Sequence, residues 1–144
     1  MAEFVYNAEQ TVVVNEPAIT DSSIPCNKGY VLHEDGTGII ILRGAVNNPN
    51  SCFARYQVTA NCNIALPTGA TVGPIAVALS VNGEIKPTSK AIVTPAAVGD
   101  YFNVTSTAFI TVPRGCCFNI ALRNASDSTS ITMQNLNIDV NRVA

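Results

Sequence analysis

The sequence predicts an all-β domain, a two-sheet antiparallel jelly-roll sandwich that assembles with copies of itself. Three observations carry that expectation. Apolar residues recur at every second position through several long segments, and turn residues cut the chain at short intervals. No segment sustains an apolar period of 3.6 residues, so helix content is expected to be minimal.

A chain of 144 residues fits one domain, taken here as 1–144. Folding at that length buries roughly two-thirds of the unfolded chain's surface. With 47% apolar residues, the chain has the means to form a core and does not read as disordered.

The elements follow in order. The N-terminal segment 1–20 is expected to be an arm or edge strand that packs on a neighbour, and Val12-Val13-Val14 is a continuous apolar run requiring cover on both faces. Turns are expected at Glu34-Asp35-Gly36, Asn47-Asn48-Pro49-Asn50, Pro67-Thr68-Gly69, Asn82-Gly83, Pro113-Arg114-Gly115 and Asn124 to Thr129. From 56 to 66, Tyr56, Val58, Ala60, Cys62, Ile64 and Leu66 share one face, opposite Gln57, Thr59, Asn61, Asn63 and Ala65. That is a half-buried strand, because successive side chains point to opposite faces.

Ile75, Val77, Leu79 and Val81 face the core of the next strand, leaving the small Ala76, Ala78 and Ser80 outward, where another strand or subunit can pack closely. Asn82-Gly83 then predicts a type I′ hairpin, since both residues tolerate positive φ. In 102–112, Phe102, Val104, Ala108, Ile110 and Val112 point inward, against Tyr101, Asn103, Thr105, Thr107, Phe109 and Thr111. Alternation with Phe118, Ile120 and Leu122 turns Cys116 inward and Cys117 outward. Ile131 and Met133 are one residue out of phase with Leu136, Ile138 and Val140, which predicts a β-bulge near Gln134-Asn135. About ten strands joined mostly by hairpins suit a jelly roll; a sandwich of another topology, with roughly eight to ten strands, is the alternative.

Charged residues make up 12% of the chain, against about 25% in a typical soluble domain. Asn, Thr and Ser must therefore supply the polar surface, or neighbouring subunits must cover it. The net charge is −2 and the eight basic residues are scattered, which argues against nucleic acid as partner. No apolar run approaches the ~18 residues of a membrane span, so no membrane partner is expected. Met1-Ala2-Glu3-Phe4-Val5-Tyr6 lacks the basic start and apolar run of a secretory signal, which places synthesis and folding in a cytoplasm. The five cysteines, at 26, 52, 62, 116 and 117, are then expected to be buried free thiols rather than a disulfide framework.

Nothing in the chain builds a recognisable catalytic or cofactor site. His33 is the one histidine, expected in a polar turn, and neither a Gly-x-Ser-x-Gly elbow nor a His-Glu-x-x-His motif occurs. Cys116 and Cys117 are adjacent on a strand, so their sulfurs diverge. No Cys-x-x-Cys zinc pair and no calcium loop is present, and Asp35, Glu84 and Asp100 read as solvated loop carboxylates. Asn103-Val104-Thr105 and Asn124-Ala125-Ser126 match a glycosylation acceptor but need a secretory route. No cofactor, no metal and no enzymatic activity are expected.

Three apolar features are poorly explained by a monomer: Phe109 and Tyr101 on an otherwise polar face, the Ala76–Ser80 face, and the run at Val12. With the low charge they point to self-association.

The strings Pro25-Cys26-Asn27-Lys28-Gly29-Tyr30, Ile92-Val93-Thr94-Pro95-Ala96-Ala97-Val98-Gly99-Asp100-Tyr101-Phe102-Asn103-Val104 and Val112-Pro113-Arg114-Gly115-Cys116-Cys117-Phe118 resemble a family of small proteins encoded by tailed bacteriophages of gut Firmicutes. The resemblance implies a virion component, a capsid decoration or head-fibre subunit, with the major capsid protein or another virion protein as partner. The strand order is also similar to trimeric jelly rolls of the tumour-necrosis-factor and complement type, an analogy of fold alone. It implies that strands matching 54–66, 101–112 and 130–142 line a threefold contact bearing Gln57, Thr59, Tyr101 and Phe109. Ala76 and Ala78 are further interface candidates from the small-residue face. The expected function is a structural virion protein acting by oligomeric assembly, located in the virion; the alternative is a module that displays loops to a glycan or host surface.

Overall fold

The computed structural model describes residues 2–22, 31–33, 36–44, 52–127 and 129–143. Cys26, Glu34-Asp35, the turn at Asn47–Asn50 and the string Pro25–Tyr30 lie outside the described residues. Twelve strands are present among those described: β1 (Ala2–Tyr6), β2 (Gln10–Val12), β3 (Asp21–Ser22), β4 (Val31–His33), β5 (Ile40–Arg43), β6 (Phe53–Ala65), β7 (Ile75–Val81), β8 (Glu84–Ile85), β9 (Ala91–Val93), β10 (Phe102–Pro113), β11 (Cys117–Asn124) and β12 (Ile131–Arg142). A single 3₁₀ turn at Pro87–Ser89 is the helical content among them.

They form two antiparallel six-stranded sheets. The first runs β10-β6-β12-β1-β3, with β2 beside β12; the second runs β4-β5-β11-β7-β8, with β9 beside β7. From β5 onward the longer strands β5, β6, β7, β10, β11 and β12 alternate between the sheets, while the short β8 and β9 stay beside β7 in the second. The fold is a jelly roll.

The alternation read from the sequence sets the two layers. Tyr56, Val58, Ala60, Cys62 and Ile64 of β6, with Val104, Ala108, Ile110 and Val112 of β10, face Ile75, Val77 and Leu79 of β7 and Ile120 and Leu122 of β11 in one core. Each large aliphatic side chain so buried contributes about 1.5–3 kcal/mol. Phe102 is in the inward phase but sits at the strand end and is exposed. The bulge falls where the phase change predicted it, with the β12–β6 register shifting between Gln134 and Asn137 and Asn135 taking a positive φ of 57°. The hairpin is also as expected: Asn82 and Gly83 have φ of 52° and 87° between the paired Val81 and Glu84.

The two sheets meet closely at Gly44, whose amide donates to Cys116 O at 2.8 Å. A Cβ there would stand 2.1 Å from Pro113 O, so glycine is required by the approach of the two backbones.

Several expectations are corrected. The N-terminal segment is built into its own chain: β1 lies inside the first sheet between β12 and β3. The Gln10 side-chain amide then pairs with both backbone groups of Ile19, at 2.9 and 3.1 Å, and residues 14–20 continue along the second sheet to Asn124, Arg123 and Thr37. Within the Val12-Val13-Val14 run only Val12 is fully covered, while Val13 is exposed. Cys116 is exposed rather than inward, because the turn at Pro113 closes with Cys116 N–H on Pro113 O and β11 begins only at Cys117. Of the four described cysteines, Cys62 is buried and Cys52, Cys116 and Cys117 are exposed.

Candidate assembly face

Gln57, Thr59 and Phe109, three of the candidate interface residues, lie on the outer face of the first sheet. Strand pairing lines up its outward side chains in rows. One row is Phe109–Gln57–Asn141, the next Thr107–Thr59–Asp139–Glu3, and the next Thr105–Asn61–Asn137–Val5. Gln57, Thr59 and Phe109 therefore lie side by side, as predicted.

The polar rows are already bonded to themselves. Thr105 Oγ1 donates to Asn61 Oδ1 at 3.0 Å, and Thr59 and Thr107 share a hydroxyl contact of 3.3 Å. Above them runs a chain of amides. Asn103 donates to Asn63 at 3.1 Å, Asn63 to Asn135 at 3.1 Å, and Asn135 to Asn7 at 2.6 Å. Each amide in the middle of the chain gives one hydrogen bond and accepts one. Such groups keep partners when water is removed above them, which lowers the cost of covering the face.

Aromatic side chains flank this ladder at both ends. At one end Phe109 is 48% exposed, with the Arg55 guanidinium 4.9 Å from its ring centre. Phe53, outward on the neighbouring strand beside Pro113, is 44% exposed. At the other end Tyr101, 40% exposed, donates from its hydroxyl to Glu9 Oε2 at 3.3 Å. Desolvation, then the Glu9 charge and hydrogen bond, raise the Tyr101 hydroxyl above the usual phenol range.

The charged side chains on these three rows are Asp139 and Glu3, with Arg55 one row further along beside Phe109. Phe53 and the Glu3–Asp139 pair were not singled out in the sequence. Outward phase alone marks Phe53 on β6, whereas Glu3 and Asp139 are juxtaposed by a pairing between the two ends of the chain.

Ala76 and Ala78 do not belong to this face or to any open one. Both are buried, packed with Ala125 and the half-buried Ile85 of the same chain. Ser126 Oγ accepts from Ala76 N–H at 3.0 Å, and Arg123 reaches across to Ser80 Oγ and Asn15 O, both at 2.8 Å. The small side chains admit the chain's own Arg123 and Ser126 where a neighbouring subunit was expected.

His33 is not in a polar turn. It closes β4, half-buried, with Nε2 at 2.9 Å from Thr20 Oγ1 and 3.1 Å from Thr37 O and its ring 4.6 Å from that of Phe4. Pairing places it beside Ile40, at the opposite end of β5 from the Arg43–Cys117 pair. The ring acts as a strut between strands. Burial pushes the Cys62 thiol up to about 12, which leaves it protonated and unreactive at neutral pH. Asn124 cannot accept a glycan, because it is fully buried and its amide nitrogen donates to Val12 O and Thr129 O, both at 2.9 Å.

No family model matches the chain, and no curated protein sequence does. Among solved structures, the chain is similar to the Eiger TNF from S. frugiperda, with a TM-score of 0.62 and 13% identity over 99% of this chain and 91% of that one. What the two share is the jelly-roll fold. Looser likenesses are to a sugar-binding protein, the EclA C-terminal domain, with TM-score 0.43 and 16% identity over 93% and 79% of the two chains. Another is the CBM22-1 xylan-binding domain from Paenibacillus barcinonensis Xyn10C, with TM-score 0.36 and 11% identity over 99% and 87%.

Proposed function

We propose that this protein is a non-catalytic assembly subunit, a jelly roll that packs against copies of itself through the outer face of its first sheet and serves as a structural component of a phage particle. The observation that carries assembly is the composition of that face: exposed Phe53, Phe109 and Tyr101 around Asn and Thr side chains that hydrogen-bond to one another. Aromatic anchors around a neutral polar field are what protein interfaces favour, and charge depletion removes repulsion between like copies. A stoichiometry of three is expected from the resemblance to trimeric jelly rolls. The particle, with the major capsid protein or another virion protein as second partner, is expected from the strings Ile92–Val104 and Val112–Phe118.

Sedimentation at micromolar concentration tests assembly, with a trimer as the expected species; a strict monomer overturns it. Mass spectrometry of purified particles tests the setting, and absence of the chain from them removes the virion role while leaving assembly standing.

A further inference from the structure

Glu3 on β1 and Asp139 on β12 stand directly opposite each other, in the row that continues through Thr59 and Thr107. Like charges facing across a strand pair are unfavourable. Asp139 is half-buried, and its Oδ1 is shut off from solvent with no hydrogen-bond partner among the described residues. The groups facing it are Thr59 from β6, flanked by Gln57 and Asn61, Glu3 from β1, next to Val5, and Asn137 and Asn141 on its own strand. Beyond β6, β10 contributes Thr107, while β2 meets β12 only at Ile131–Met133.

None of these described neighbours of Asp139 is a cation. Arg55 lies four residues along β6 from Thr59, roughly 13 Å away at strand spacing, and its guanidinium is over the Phe109 ring. Arg142 follows on β12 in the opposite phase, paired with Tyr56. Asn137 Nδ2 donates to Glu3 Oε2 at 3.3 Å, so Glu3 has a donor where Asp139 Oδ1 has none among the described residues. Burial first, then the Glu3 charge and a hydrogen bond to Glu3, push the Asp139 carboxyl above the ordinary carboxylate range.

We infer that self-association through this face is proton-linked: a copy seated on the Thr107–Thr59–Asp139–Glu3 row covers the paired carboxyls, and the contact closes when they hold a proton between them. The inference rests on the assembly face proposed above. Covering the row strips remaining water from Asp139 and makes its charged form costlier, while the protonated carboxyl becomes a donor that Glu3 accepts. Association then takes up protons and strengthens as pH falls, by about tenfold in the association constant per pH unit for each proton bound.

The test is sedimentation velocity of the full chain from pH 8 to pH 5 at constant ionic strength, on the wild type and on Asp139→Asn, with circular dichroism to verify folding. The wild type is expected to associate more tightly at pH 5 than at pH 8. Asp139→Asn is expected to associate at pH 8 as tightly as the wild type does at pH 5, with the pH slope lost. An oligomer of equal strength at both pH values overturns the linkage and leaves the assembly face intact, as does an Asn variant that keeps the wild-type slope. A wild type that is monomeric throughout overturns both. Should Asp139→Asn not fold, Glu3→Gln carries the same comparison.

Discussion

The Tyr56 hydroxyl of β6 donates to the Arg43 carbonyl of β5 at 2.6 Å, so one fully buried side chain spans from the first sheet to the second. Its ring fills the core and its polar tip reaches backbone on the far layer, as a buried tyrosine requires. Removing the hydroxyl alone, in Tyr56→Phe, is expected to cost about 0.5–1.5 kcal/mol, and truncating the whole side chain in Tyr56→Ala about 3–5 kcal/mol. Urea denaturation gives both values. A Phe variant as stable as the wild type would show that the cross-sheet hydrogen bond contributes nothing net.

Phe109 presents an exposed ring at the end of the proposed assembly face. Phe109→Asp is expected to leave the thermal midpoint nearly unchanged, because the ring is half in solvent and its contact with Arg55 is worth only about 0.5–1 kcal/mol. Self-association is expected to weaken at least tenfold, since aromatic anchors dominate interface energies. Sedimentation of the variant beside the wild type separates the two effects; unaltered association would remove Phe109 from the contact.

The thiols divide by environment. At pH 8 a group with a pKa near 12 is ionised to about one part in ten thousand, and the thiolate is the reactive form. Brief iodoacetamide treatment followed by peptide mass spectrometry is expected to modify Cys52, Cys116 and Cys117 while Cys62 stays free until denaturant is added. Modification of Cys62 at the rate of Cys117 would mean that β6 opens to solvent in the native protein.

The features legible in the sequence are those written over a few residues. The alternation from Tyr56 to Ile64, the Asn82-Gly83 turn and the phase slip at Gln134-Asn135 each need only local backbone geometry, and each stands where expected. The errors share a different physical origin. For Ala76 and Ala78 alternation assigns a face but not which strand or subunit lies over it; their cover comes from Arg123, Ala125 and Ser126 of the same chain, some fifty residues on. Cys116 was turned inward by extending the β11 period one residue too far into a turn that Gly115 closes with a φ of 78°. Glu3 meets Asp139 only because β1 pairs with β12, a contact between the chain's two ends that no window reveals. The aromatic end of the proposed face is half legible: Phe109 interrupts a polar phase, whereas Phe53 precedes the alternating segment that starts at Tyr56.

Asn103 and Asn124 begin the same Asn-x-Ser/Thr pattern and have opposite fates. Asn103 is exposed on β10, where its amide extends the surface chain to Asn63. Asn124 is fully buried at the end of β11, where its nitrogen holds Val12 O and Thr129 O and its oxygen accepts from Ser126 N–H at 2.9 Å. That one side chain ties β2, β11 and the approach to β12 together. Asn103→Ala is therefore expected to shift stability by no more than about 0.5 kcal/mol, as exposed substitutions do. Asn124→Ala deletes three hydrogen bonds at once, two of them buried, and is expected to cost about 3 kcal/mol or more, because stranded buried groups forfeit about 1–3 kcal/mol each. Equal midpoints for the two variants in urea would mean that the Asn124 junction does not hold the N-terminal segment to the sandwich.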